Sequence, residues 1–134
     1  MNLIAEFLAY QNYPTNTKID IKKCHYEILS RDQGLYTCKI NANAIMGVFT
    51  DKYMNPEAIK IYGVTDSDGL PRDSVLSWSL GAAVISCGKM KYPDIYDLFT
   101  KVLKNGYVKH SGVEMVSRIS PDNNLVYEFI IANY

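Results

Sequence analysis

The sequence predicts an α+β domain: a mainly antiparallel sheet with two or three helices packed on it, with residues 1–134 forming a single domain. Three observations lead there. Strand-like runs follow one another directly in the first half, so they pair as hairpins. Helix-like stretches do not alternate strictly with them, which argues against a doubly wound sheet. The chain has 134 residues, 48% hydrophobic and 21% charged, enough for one core and too apolar for disorder.

Met1 to Tyr13 reads as a short amphipathic helix. Leu3, Ile4, Phe7 and Leu8 form its apolar face, Asn2 can cap it, and Pro14-Thr15-Asn16 ends it. Ile19 to Ser30 reads as a strand. Its apolar phase switches from Ile19 and Ile21 to Cys24, Tyr26 and Ile28, which a bulge near Lys22-Lys23 would accommodate. Arg31-Asp32-Gln33-Gly34 is a turn, and Tyr36, Cys38, Ile40 and Ala42 alternate with polar residues as the second strand of a hairpin. Ile45 to Thr50 extends that strand or starts another. Asp51 to Pro56 is a loop or helical turn, Ile59 to Val64 a short strand, and Thr65 to Arg72 a polar loop.

Asp73 to Gly88 carries two readings. As a helix it is apolar nearly all round and so buried, with Val75, Trp78, Ala82 and Ile85 as its stripe. As strands, Leu76, Trp78 and Leu80 alternate with Ser77 and Ser79, and Gly81 is the break; inside a helix that glycine costs about 1 kcal/mol relative to alanine. The stretch from Pro93 is clearer. Ile95, Leu98, Phe99 and Val102 share one helix face, Pro93 suits the first turn, and Asn105-Gly106 supplies a left-handed stop. Two strand-like runs follow, separated by Ser120-Pro121-Asp122-Asn123-Asn124. The last, Leu125 to Ile131, is apolar on both faces and needs cover on both.

Charge and cysteine usage narrow the function. Fourteen basic residues balance fourteen acidic ones, so no nucleic-acid partner is expected. No apolar window reaches the roughly 18 to 20 residues of a membrane helix. Cys24, Cys38 and Cys87 are an odd set with no secretory signal, which predicts a cytoplasmic protein (or a virion component if phage-encoded) and no Cys24–Cys38 disulfide. Their spacing does not suit zinc. Asp66-Ser67-Asp68-Gly69 opens like a calcium loop, but Leu70 and Ser77 stand at ligand positions. Glycine-rich phosphate loops are absent, so no cofactor, metal or catalytic residue is expected. Cys87 with His110 is a conceivable nucleophile and base, although a small buried thiol is the plainer reading. Glu114 and Glu128 read as outward positions on neighbouring strands.

Eleven tyrosines favour a protein partner or self-association, with Trp78, Tyr107, Tyr127, Phe129 and Tyr134 as candidate interface residues. Pro93 to Leu103, Asn105-Gly106-Tyr107 and Leu125 to Ile131, over the C-terminal third, resemble the corresponding half of phage tail-terminator (tail-completion) proteins. That resemblance implies an α+β fold, a ring-forming homo-oligomer that caps the tail tube, and no catalysis. The middle segment, Ala44 to Gly88, departs from it. Trp78, Cys87-Gly88 and Tyr92 to Phe99 also resemble pieces of the collar domain of phage tail fibres, although the tryptophan-to-cysteine spacing differs. The expected function is therefore a non-enzymatic structural, assembly or protein-binding role. The alternatives are a small inhibitor or immunity-type protein with one partner, and a small enzyme built on Cys87, His110 or Glu128.

Overall fold

A computed structural model describes residues 24–88, 90–110 and 112–133. The order is β1 (His25–Ser30), β2 (Gln33–Asn41), β3 (Ala44–Asp51), β4 (Pro56–Val64), α1 (Asp73–Ser86), α2 (Tyr92–Asn105), β5 (Tyr107–His110), β6 (Val113–Ser120) and β7 (Asn123–Asn133). All seven described strands form one sheet in the order β1-β2-β3-β4-β7-β6-β5, and every neighbouring pair is antiparallel. Two meanders, β1 to β4 and β5 to β7, are thus joined edge to edge at β4 and β7. The helices carry the chain from the middle of the sheet to its far edge.

This corrects the α+β expectation of two or three helices on a sheet. Strands take 51% of the described residues against 26% in helices, and there are only two described helices. Two short turns account for part of the difference. Ala44 to Asp51 is a strand of its own because the chain reverses at Ala42-Asn43, where the Asn41 side chain accepts the Asn43 N–H at 2.8 Å. The run after α2 is two strands, folded back at Gly112, whose φ is 85°. The expected helix at Met1 to Tyr13 and the bulge near Lys22-Lys23 lie outside the described residues.

Both helices pack on the same face. A Cβ on Gly63 of β4 would come within 2.9 Å of Val75 of α1 and would collide with the Asn43 carbonyl, so only glycine lets the chain pass there. Phe99 of α2 meets Phe129 of β7 with ring centroids 5.6 Å apart. Register places Gly63 beside Tyr127 and Ile61 beside Phe129, so these contacts share one side of the sheet. The core fills that side: Cys38, Met46, Val48, Ile59, Ile61, Met115, Phe129 and Ile131 from the strands, Val75, Trp78, Ala82, Ile95 and Val102 from the helices.

Asp73 to Gly88 takes the helical reading over Asp73–Ser86, apolar all round because sheet and α2 enclose it. Gly81 is buried within it, where tertiary packing outweighs the propensity cost. α2 has Pro93 in its first turn and ends at Gly106 with φ 83°, as expected. β7 lies between β4 and β6, so Leu125 to Ile131 is internal to the sheet.

Cys24 and Cys38 are joined by a disulfide, contrary to the sequence expectation. A two-residue turn at Arg31-Asp32 pairs Ser30 with Gln33, and continued unbroken it would set Cys24 opposite Lys39. The register shifts between Ile28 and Ser30, leaving Leu29 as an extra residue, so that His25 pairs with Thr37 and Cys24 faces Cys38.

Candidate interaction surfaces

The face of the sheet away from both described helices carries Leu35, Thr37, Ile45, Phe49, Lys60, Tyr62, Val116, Glu128 and Ile130, by alternation from the helix-facing residues. Most are half-buried. At its centre Glu128 is only 2% exposed. Lys60 Nζ lies 3.0 Å from one carboxylate oxygen and Arg118 Nε donates to the other at 3.2 Å. Arg118 is directly opposite Glu128 on β6, and Tyr62 is opposite it on β4. Lys60 also sits 5.1 Å above the Tyr62 ring. Each oxygen of the buried carboxylate thus has a cation, which such a group requires.

That arrangement disposes of acid–base pairing. Glu114 pairs with Ala132, four positions along β7 from Glu128, about 13 Å at ~3.3 Å per residue. A carboxylate dyad needs its members within hydrogen-bonding reach. Cys87 is buried at the end of α1, and that burial pushes its thiol up, away from the thiolate a nucleophile needs. No cluster of three or more His, Cys, Asp or Glu suited to a metal occurs among the described residues. The Asp66 carboxylate accepts the Asp68 and Leu70 N–H groups, both at 2.9 Å, which makes a turn of the apparent calcium loop.

The interface candidates scatter. Trp78 is 1% exposed and Phe129 is fully buried, so both are core residues with no surface to present. Tyr127 faces the helices, its hydroxyl hydrogen-bonded to that of Ser117, and burial pushes its phenol up. Tyr107 is exposed on β5. Tyr134 lies outside the described residues.

Among the described strands the two edges of the sheet are unlike. β5 is four residues long and carries Lys109, both features that blunt an edge. β1 has six residues, all exposed, with one charged side chain at neutral pH and neither lysine nor proline. Ile28 is 75% exposed and Leu29 45%. The Cα atoms of Cys24 and Cys38 are 4.6 Å apart, the spacing of a non-hydrogen-bonded pair. Alternation then makes Tyr26–Tyr36 and Ile28–Gly34 non-hydrogen-bonded pairs as well, so the N–H and C=O of Tyr26 and Ile28 point away from the sheet. The Tyr26 ring lies against Tyr36, centroids 4.6 Å apart, and over Gly34, which stiffens the edge.

Sequence reasoning missed Lys60, Arg118 and this edge. A carboxylate inside the apolar run Leu125 to Ile131 was a usable signal that cations lie on the strands beside it. Which strand lies at an edge is a property of topology and has no local signature.

No family model matches the chain, and neither a curated protein nor a solved structure does. Among the described residues no helix is long and apolar enough to cross a membrane.

Proposed function

We propose that this protein acts through protein–protein contact without catalysis, as a binding or assembly module that accepts an extended strand of its partner along β1. The carrying observation is the edge itself: six exposed residues with outward backbone groups at Tyr26 and Ile28. Strand addition draws its affinity from main-chain hydrogen bonds and its specificity from side chains on alternate faces. The burial of Cys87 and the neutralised Glu128 support this reading over a small enzyme. The virion setting implied by the tail-terminator resemblance suits a contact protein of this kind. The Cys24–Cys38 bond favours a working environment more oxidising than the expected cytoplasm.

The test is a titration of isotope-labelled protein with a lysine-capped peptide of alternating valine and threonine, followed by NMR. The amides of Tyr26 and Ile28 should shift and gain exchange protection while β5 stays unchanged. Ile28→Pro removes an outward N–H and no bond of the β1–β2 ladder, so it should abolish the effect with the fold intact. Shifts confined to the face of the sheet away from both described helices, or none at all, would overturn the proposal.

A further inference from the structure

We infer that the strand β1 accepts is β1 of a second copy, paired antiparallel about a two-fold axis at Tyr26, so that two seven-stranded sheets become one. This rests on the strand-addition reading and names its partner. A strand can pair with itself only where its side chains suit their own mirror order, and β1 offers three nearby centres. Centring on Glu27 sets two carboxylates directly opposite each other in a close pair, which is repulsive. Centring on Ile28 sets His25 opposite Arg31, two cations once the imidazole is charged, and brings the pairing onto the bulge at Leu29. Centring on Tyr26 sets His25 opposite Glu27 twice, once on each side of the axis, in non-hydrogen-bonded pairs where side chains lie closest.

The Tyr26 register also uses what the edge exposes. The two Tyr26 residues exchange N–H and C=O with each other, and their side chains lie on the helix side of the sheet, where Ile28 is exposed as well. The His25 and Glu27 side chains meet on the other side. Because the contact is isologous it closes at two copies. It therefore differs from the ring that the tail-terminator resemblance implied.

The experiment is sedimentation velocity on the full chain over a wide concentration range, at one fixed pH of about 6. The wild type should show a reversible monomer–dimer equilibrium. Glu27→Gln should weaken it about fivefold and His25→Glu about tenfold, while the exchanged variant His25→Glu/Glu27→His should return to within about twofold of wild type. All three substitutions are at exposed positions, so circular dichroism should be unchanged. A tighter dimer with Glu27→Gln would mean that the carboxylates face each other, which overturns the Tyr26 register. A wild type monomeric throughout would overturn self-pairing; the peptide titration then decides separately whether the edge accepts strands at all.

Discussion

Glu128 and Phe129 are neighbours on β7 and equally hidden, 2% and 0% exposed, yet they are buried by opposite means. Phe129 points to the helices and meets Phe99, Ile61 and a shell of aliphatic side chains. Its burial is favourable in itself. Glu128 points the other way and is tolerable there only because Lys60 and Arg118 neutralise it. One face holds the fold together. The other carries a charge that the fold must keep satisfied, among half-buried apolar residues.

Substitutions at the two positions should separate these roles. Phe129→Ala should be the most damaging, at about 3 to 5 kcal/mol in chemical denaturation, because the helices cannot collapse into the space. A loss below about 1 kcal/mol would mean that the helix layer is loosely packed. Glu128→Ala should cost less, about 2 to 3 kcal/mol, since its partners stay half in water and recover part of their hydration. Adding Lys60→Met to it should recover some of that loss, and strict additivity of the two would break the ionic account.

The smallest effect is a pH dependence on the covered face. Burial raises the Tyr127 phenol, and burial followed by the Tyr26 charge raises that of Tyr36. As pH passes about 10 the unfolded phenol loses its proton first and the folded one keeps it. The stability these groups contribute is therefore complete below that pH and declines above it. Tyr127→Phe should flatten part of the decline in urea midpoints; an unchanged alkaline limb would place the effect elsewhere.

Local punctuation made much of the fold legible in the sequence. Pro93 and Gly106 bracket α2, Arg31-Asp32 closes the first hairpin, and alternation picked out the helix-facing residues of β2. The failures share a cause. The reversals at Ala42-Asn43 and at Gly112 sit inside strand-prone sequence, and period-two alternation reads straight through them. The fold class erred in the same direction: the reversal at Gly112 hid a strand, the one at Ala42-Asn43 left Ile45 to Thr50 open between an extension and a strand of its own, and the count leaned towards helices. Lys60 and Arg118 lie 68 and 10 residues from Glu128, and only the pairing of β7 with both neighbours brings them together.

Leu29 carries a consequence of a different kind. Were the register of Ser30 and Gln33 continued with no residue left over, Cys38 would pair with His25, and Cys24 would stand against Lys39 with its side chain on the other face from that of Cys38. Oxidation can then succeed only in a hairpin that has already found its bulged register. The bond serves as proofreading: it records covalently that β1 was laid down correctly, and a chain with the hairpin slipped by one residue keeps the Cys24 and Cys38 thiols free.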